Sequence, residues 1–331
     1  MKKIVIVTSL ICMMFVLAAC GDNVTDNSGD KSGVSVVTTL FAPYDFAKNI
    51  VGENGSVTML LAPGEEAHSF DPTPQDIIAI GECDLFIYNG GENESWVQDV
   101  LASLDSDVKT ICMMDTVETV FFEEHVEGMQ SSHEDGGHES DDTMNNENIV
   151  NEHAEEEYDE HVWASLDNAI VISNEIAGKL ADIDENNASV YKKNAEMYTA
   201  EISELRDEIT MAVRNSSANT LIYGDRFPMR YFTEEYSLDY YAAFPGCSAD
   251  TEASAATIKF LIDKVNELGV KVIIKSEMSS GNIAETIAAE TGAKVMTMYA
   301  CHNISKEDYD AGVGYVELME RNLSVLKEAL N

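Results

Sequence analysis

Short apolar runs alternate with helical patterns along most of this 331-residue chain, and that alternation restricts its folding more than any other feature. The runs that resemble buried strands are 34–40, 57–61, 85–88 and 108–113, and then 221–223, 240–244, 270–274 and 294–298. The helical patterns between them are 46–51, 77–81 and 95–104, and then 256–268, 283–291 and 314–330. Strands that alternate with helices indicate βαβ units and parallel sheets. The sequence therefore predicts an α/β protein with two βα lobes.

A helical section separates the two sets of strands, with patterns at 168–181 and 188–213. The second pattern has one apolar stripe with steps of three and four residues, formed by Tyr191, Ala195, Tyr198, Ile202, Leu205 and Ile209. At about 1.5 Å per residue this helix would be about 40 Å long. It could brace two packed lobes, although the stripe is equally compatible with a single amphipathic surface helix.

Residues 123–160 interrupt the alternation with acids and histidines and almost no apolar periodicity. Such a segment cannot bury enough surface to offset the entropy of ordering, so we expect a mobile insert. The predicted organisation is a signal peptide (1–19), a flexible tether (20–33), an N-terminal lobe (34–165) with its insert, a helical linker (166–216) and a C-terminal lobe (217–331).

The start of the chain has the features of an export signal. Lys2 and Lys3 precede an apolar run over 4–17, which is too short for a flanked membrane span. Leu17-Ala18-Ala19-Cys20 resembles a bacterial lipobox, which is cleaved before a cysteine that receives lipid. This predicts a protein anchored through Cys20 to the outer face of the membrane. An ordinary signal peptide with a chance cysteine is the alternative.

The charge of the chain restricts its partners. Sixty acidic residues oppose twenty basic ones, for a formal net charge of −40. Such a surface repels nucleic acid and anionic lipid and attracts cations, so we expect no nucleic-acid partner. Simple solubility is the ordinary explanation of the charge.

The cysteines indicate little about the site. Beyond Cys20 the chain has Cys83, Cys112, Cys247 and Cys301, and the absence of a Cys-x-x-Cys pair argues against a thiolate zinc site. An exported protein can form disulfides, and the sequence leaves a Cys247–Cys301 pair open.

Two histidines lie where a metal could bind. His68 follows a predicted strand and precedes a helix for which Thr73 is a plausible cap and Pro74 a suitable first residue. It would lie at the carboxyl edge of a parallel sheet, where ligands bind in open α/β folds. His161 lies in Asp-Glu-His-Val-Trp, where the acidic insert returns to order. A solvated loop histidine and a helix-entry residue are the ordinary alternatives.

The motifs around these histidines resemble a known family. Pro-Gly-x-x-x-His-x-Phe-x-Pro-Thr-Pro at 63–74, Asp-Leu-Phe-Ile-Tyr-Asn-Gly at 84–90 and Asp-x-His-Val-Trp at 159–163 are similar to those of the zinc-specific (cluster A-I) substrate-binding lipoproteins of ABC transporters. Stretches at 284–295 and 315–323 are also similar. The likeness covers about residues 34–331. It implies two βα lobes with parallel sheets joined by a long rigid helix, a metal in the cleft, and His68 and His161 as ligands from the first lobe.

The chain departs from the family pattern at the third ligand. The family often has Ser-His-x-x-Phe-x-Tyr-Phe after the first strand of the second lobe, and here the stretch 223–232 has no histidine. Asp225 is the nearest residue that can bind a cation, with pairing to Arg226 or helix capping as alternatives. The resemblance places the fourth, acidic position at or next to Glu277. Three further residues are weaker candidates: Glu252, expected to fix local structure, Cys247, a soft ligand, and His302, expected to be solvated but able to replace the missing histidine.

The resemblance implies that the chain captures Zn²⁺, with Mn²⁺ and Ni²⁺ as alternatives, and delivers it to an ABC permease in the membrane. We expect a monomer with modest motion on binding. The insert histidines, which the resemblance presents as a weak metal-gathering loop, are His125, His133, His138 and His153. No His-Glu-x-x-His helix or Gly-x-Ser-x-Gly elbow supports a metallohydrolase, so we expect no enzyme activity. Surface adhesion is a secondary hypothesis.

Overall fold

The computed structural model describes residues 33–66, 70–105, 107–130, 157–248 and 252–331. The first lobe has a parallel four-stranded sheet in the order β2-β1-β3-β4. Its strands are β1 (Val34–Thr38), β2 (Gly55–Met59), β3 (Leu85–Tyr88) and β4 (Lys109–Cys112). Its helices are α1 (Phe41–Val51), α2 (Pro74–Glu82), α3 (Trp96–Ser103) and the single turn α4 (Met113–Thr116).

Two helices follow the first lobe, α5 (Leu166–Ile183) and α6 (Ala188–Arg214). The 27 residues of α6 make it about 40 Å long. The six residues of its predicted apolar stripe are the buried residues of this helix, which confirms the prediction. Because these side chains belong to an apolar cluster that also contains residues of both sheets, α6 braces the two lobes.

The second lobe has the same strand arrangement, β6-β5-β7-β8, and its neighbouring strands are again parallel. Its strands are β5 (Thr220–Phe227), β6 (Asp239–Pro245), β7 (Val272–Ser276) and β8 (Lys294–Met298). Its helices are α7 (Arg230–Tyr236), α8 (Ala255–Leu268), α9 (Asn282–Thr291), α10 (Lys306–Ala311) and α11 (Tyr315–Ala329). The predicted class, two parallel-sheet βα lobes joined by a long helix, is confirmed.

Helices cover both faces of each sheet, as parallel sheets require. The large shared cluster lies between the sheets and the bracing helices. A smaller cluster packs α2 and α3 on the outer face of the first sheet. Another packs α8 and α9 on the outer face of the second.

The sequence predicted that the site lies at the carboxyl ends of the strands. In the first lobe, the helix that follows β2 begins near this edge, and hydrogen bonds between neighbouring residues fix where it begins. Thr73 caps α2: its hydroxyl accepts a hydrogen bond from the Asp76 N–H at 3.3 Å, and the Asp76 carboxylate accepts from the Thr73 N–H at 2.7 Å. Pro74 is the first helical residue. This reciprocal cap confirms the helix start predicted from the sequence.

The ends of the acidic segment pack more closely than we predicted. We call residues 121–130 the strap. Phe122 forms an isolated antiparallel bridge with Tyr158, and the Gln130 N–H donates to the Ala243 carbonyl of the edge strand β6 at 3.0 Å. Residues 123–130 and 157–160 are therefore ordered parts of the fold, so the prediction of a mobile segment was wrong for these residues. Long-range contacts with the second lobe supply the burial that local periodicity did not indicate.

Other differences from the predictions concern element ends. α1 begins at Phe41 rather than 46, β5 extends to Phe227, and the short helices α7 and α10 were not predicted. Helices of six or seven residues are too short to show a full amphipathic period.

None of the helices among these described ranges is long and apolar enough to cross a bilayer. The predicted signal and Cys20 lie outside the described residues, and the predicted boundaries of tether, lobes and linker stay predictions.

Candidate metal centre

His161 lies at the entrance to one turn of 3₁₀ helix, Val162–Ala164, immediately before α5. The Trp163 indole N–H donates to the Ala300 carbonyl of the second lobe at 2.7 Å. The Ser165 hydroxyl caps α5 by accepting from the Asn168 N–H. These contacts fix the turn, and the His161 side chain is fully buried behind it.

Asp159 orients the His161 imidazole. One carboxylate oxygen of Asp159 lies 2.9 Å from His161 Nδ1 and also accepts from the His161 backbone N–H at 2.9 Å. Burial lowers the pKa of His161, but Asp159, Glu160 and Glu123 raise it, and the net pKa lies above its ordinary value. With the proton held on Nδ1, the lone pair is on Nε2, which is buried and has no hydrogen-bond partner among the described residues. A buried imidazole nitrogen with this carboxylate support is typical of a metal ligand.

His302 contacts His161, although its loop was predicted to be solvated. The two ring centroids are 4.4 Å apart, and the rings are nearly perpendicular at 76°. The His302 ring also lies 4.9 Å from that of Trp163. Its carbonyl accepts from the Phe41 N–H at 3.0 Å, which ties the loop to the start of α1. The solvated interpretation was therefore wrong, because contacts with the first lobe hold the ring inside the cleft.

Asp225 lies near the end of β5, where the pairing with β6 changes register between Tyr223 and Arg226. Its carboxylate accepts from the Arg226 backbone N–H at 2.9 Å and from the Ser276 N–H at 3.1 Å. The side chain lines the cleft but is already held by backbone donors on both oxygens. This arrangement allows a role as a ligand and also fixes the ends of β5 and β7.

Glu277 directly follows β7, as expected, and its carboxylate is directed at the His302 loop. It accepts from the Ala300 N–H at 3.0 Å and from the Cys301 N–H at 3.0 Å. Burial raises the pKa of Glu277, although these two backbone donors counteract the effect. The backbone of Cys301 is in the left-handed region, with φ of 60°, which residues other than glycine rarely adopt. Glu277 therefore holds the strained turn that presents His302.

Two cavities meet at His302. One, of about 50 Å³, is lined by second-lobe residues that include Asp225, Glu277 and Asn303, and by Glu65 and Glu66 of the first lobe. The other, of about 20 Å³, is lined by first-lobe residues that include Glu94 and Glu160.

Gly246 closes the cleft beside His161. A Cβ atom there would lie 2.8 Å from the Phe227 carbonyl and 3.1 Å from His161 Cε1. Glycine is therefore required at this position if the imidazole is to keep its place.

The other residues that the sequence suggested as ligands lie outside the described residues, lie on the surface, or are thiols unsuited to a metal. His68, His133, His138 and His153 lie outside the described residues. His125 is exposed on the strap, and Glu252 is also exposed. Cys83, Cys112, Cys247 and Cys301 are free thiols, so a Cys247–Cys301 disulfide is absent. Burial raises the pKa of Cys247 well above its ordinary value, which disfavours the thiolate that a metal would need.

Within the described ranges, no three His, Cys, Asp or Glu side chains are arranged to hold a metal ion. The described part of the cleft thus offers two imidazoles in contact and nearby carboxylates. His68 is the further donor that the sequence motif predicts.

A family model for the periplasmic component A of the zinc-uptake complex, ZnuA, matches residues 36–329. The chain belongs to this family. Its members include the high-affinity zinc uptake system protein ZnuA of Bacillus subtilis, which is 33% identical over 321 residues that cover 96% of this chain and 95% of the relative. The zinc-binding lipoprotein AdcA of Streptococcus pneumoniae is 27% identical over 99% of this chain. This chain spans 61% of the length of AdcA.

Solved structures show the same fold. The Zn(II)-bound ZnuA-like domain of Streptococcus pneumoniae AdcA matches with a TM-score of 0.70 and 26% identity, over 90% of this chain and 99% of that one. The laminin-binding protein Lmb of Streptococcus agalactiae, described as a bifunctional adhesin and metal transporter, matches with a TM-score of 0.71 and 26% identity, over 90% of this chain and all of that one. The family is therefore the one that the motifs around His68 and His161 indicate, and that prediction is confirmed.

Proposed function

We propose that this protein captures a divalent transition metal, with zinc as the preferred cargo, and delivers it to the permease of an ABC importer. The family membership supports the class of function. The observation that carries the proposal on this chain is the buried Nε2 of His161, which lies beside the His302 ring and has no hydrogen-bond partner in the described part of the chain. A buried nitrogen acceptor is costly unless something coordinates it, and a metal ion would do so.

We assign the ligands as His68, His161 and His302, with Asp225 as the fourth donor. His302 then replaces the histidine that is missing near residue 225. Three neutral imidazoles and one carboxylate suit tetrahedral zinc, and they also tolerate nickel and manganese. Glu277, which the sequence suggested as a ligand, serves instead to hold the His302 loop through the Ala300 and Cys301 amides.

Capture and release require no chemical turnover. Histidine must be neutral to bind metal, so protons compete with the cargo. The α6 brace packs into the apolar cluster shared by both lobes and resists a wide hinge motion, so metal binding changes the loops at the cleft more than the lobes.

The cell-surface setting is also part of the proposal. Lipid on Cys20 would hold the protein, as a monomer, at the outer face of the membrane beside its permease. The insert histidines would gather metal weakly before it reaches the cleft.

A second function has one supporting observation, the structural likeness to the laminin-binding protein Lmb. Binding of immobilised laminin by the soluble chain, with and without zinc, tests this adhesion.

Competition calorimetry on the soluble form that begins after Cys20 tests the main proposal, with zinc, manganese and nickel as titrants. We expect one tight zinc site that disappears in His68→Ala and in His161→Ala. Deleting residues 131–156 should remove only weak sites. No tight site in the unaltered protein, or full affinity in both variants, would refute the proposal.

A further inference from the structure

The first-lobe loop 62–66, which ends just before the segment that contains His68, is held to the second lobe by Asn303. The Asn303 side-chain Nδ2 donates to the Ala62 carbonyl and to the Glu65 carbonyl, each at 2.8 Å. Its Oδ1 accepts from the Ile304 N–H at 2.7 Å, so both ends of the amide are used and its orientation is fixed. Asn303 is 1% exposed. The Ala62 carbonyl also accepts from the Glu65 N–H at 3.0 Å, so Asn303 ties the turn of this loop to the second lobe.

Arg226 provides a second attachment nearer the solvent. One guanidinium nitrogen lies 3.4 Å from the Glu66 carboxylate, and another donates to the Ser248 carbonyl at 3.2 Å. The Glu66 side chain is 45% exposed. A partly exposed ion pair at this distance contributes little by itself, so Asn303 is the stronger of the two attachments.

Both attachments are sequence neighbours of proposed second-lobe ligands. Asn303 follows His302, and Arg226 follows Asp225. Asn303, Arg226, Glu65 and Glu66 also line the same 50 Å³ cavity as these two ligands. Any movement of the loop away from the second lobe therefore opens the wall of that cavity.

We propose that Asn303 and Arg226 are positioning residues, a clasp that holds loop 62–66 against the second lobe and sets the rate at which bound metal leaves. This inference rests on the proposed function. The clasp couples the second-lobe ligands to the loop that leads to His68. Opening it is then the local, low-cost motion that releases cargo while the α6 brace stays in place.

Asn303→Asp is the sharpest test, because it keeps the shape but turns an oxygen toward two carbonyl oxygens. The matched control is Asn266→Asp, where an exposed amide donates to the Ile262 carbonyl of its own helix at 3.0 Å. In the metal-free proteins, hydrogen exchange of a peptide over 60–66 should be at least tenfold faster in Asn303→Asp and unchanged in the control. With Zn²⁺ bound, transfer to an excess of chelator should be about tenfold faster, a change of about 1.4 kcal/mol in the barrier to release.

A third variant guards against misfolding. Arg226→Gln removes the more exposed attachment and should accelerate the release of Zn²⁺ about twofold. Arg226→Lys keeps the positive charge, so its release rate should lie between those of Arg226→Gln and the unaltered protein. Unchanged exchange of 60–66 in folded Asn303→Asp would overturn the clasp. If Asn303→Asp does not fold, an unchanged release rate in Arg226→Gln would overturn it. Faster exchange together with no tight zinc binding in the unaltered protein would instead refute the proposed function and leave the loop attachment standing.

Discussion

The two lobes have the same strand arrangement, yet the candidate site residues that they contribute differ in how their polar atoms are already hydrogen-bonded. In the first lobe, His161 has a buried Nε2 with no hydrogen-bond partner among the residues that the structure describes, and the Asp159 carboxylate lies at its other ring nitrogen. In the second lobe, the carboxylates of Asp225 and Glu277 already accept backbone N–H groups. A donor without a partner gains most from a metal, whereas a satisfied carboxylate must exchange existing hydrogen bonds. We therefore expect the imidazoles to contribute most of the zinc affinity. The second-lobe carboxylates should act mainly by holding the cleft loops in place.

The largest expected loss of zinc affinity is that of His161→Ala, which removes the imidazole nitrogen proposed to bind the metal. Apparent zinc affinities of about 10–16 kcal/mol for four-ligand sites give about 2.5–4 kcal/mol per ligand, or roughly 70- to 900-fold in Kd. Calorimetry against a competing chelator measures the loss. If Asp225→Ala costs as much as His161→Ala, the contrast between the lobes is wrong.

Glu94 extends the comparison to a first-lobe carboxylate that is only partly satisfied. One of its oxygens accepts from the Asn89 and Gly90 N–H groups, and burial raises its pKa to about 7 from an ordinary value of 4.5. The folded state holds this proton more tightly than the unfolded state. Stability is therefore lost as the pH rises from about 4.5 through 7, by about 3 kcal/mol at full ionisation.

Glu94→Gln should remove this penalty. Its stability relative to the unaltered protein should rise by up to about 3 kcal/mol between pH 5 and pH 8, as measured by urea unfolding without metal. Glu53→Gln, on the surface, should show no such trend. A difference between Glu94→Gln and the unaltered protein that is independent of pH would show that Glu94 ionises normally in the fold.

Glu277→Gln tests whether the Glu277 carboxylate affects zinc binding by holding the His302 loop in place. The amide can keep only one acceptor oxygen toward Ala300 and Cys301, so the His302 turn should loosen and zinc affinity should fall about 10- to 100-fold. The exposed Glu285→Gln serves as control. Hydrogen exchange of a peptide over 299–304 should rise in parallel. Lower affinity with unchanged exchange would indicate direct ligation by Glu277.

Asp159→Asn tests the hydrogen bond between Asp159 and His161 Nδ1. It should have a smaller effect, about tenfold weaker zinc binding at pH 8. Asp159 raises the His161 pKa, so its neutralisation should lower that pKa. The loss of affinity on acidification should then begin at a lower pH in the variant than in the unaltered protein. A parallel pH profile for both proteins would mean that Asp159 does not act on His161.

The smallest effect is expected for His125→Ala, because His125 is exposed on the strap. The tight zinc site should keep its affinity within error in the same calorimetric assay. A loss comparable to that of His161→Ala would place the strap in the site itself.

The sequence by itself determined the local structure and the family. The stripe of α6 and the cap at Thr73 depend on side chains a few residues apart, so periodicity and capping chemistry were enough to predict them. The motifs around His68 and His161 carried the zinc-specific resemblance. Asp225 and Glu277 lie near the ends of β5 and β7, where the sequence placed them, but the sequence could not show which backbone groups their oxygens would contact.

Only the tertiary structure decided which distant residues share the cleft. His302 lies in a loop without a recognisable motif, and its place beside His161 depends on the Trp163–Ala300 and Phe41–His302 hydrogen bonds between the lobes. The strap is ordered for the same reason, because its burial comes from the second lobe rather than from its own apolar pattern. Local sequence chemistry fixes helices, strands and caps, whereas contacts between residues far apart in the chain exist only once the two sheets have packed against their common helices.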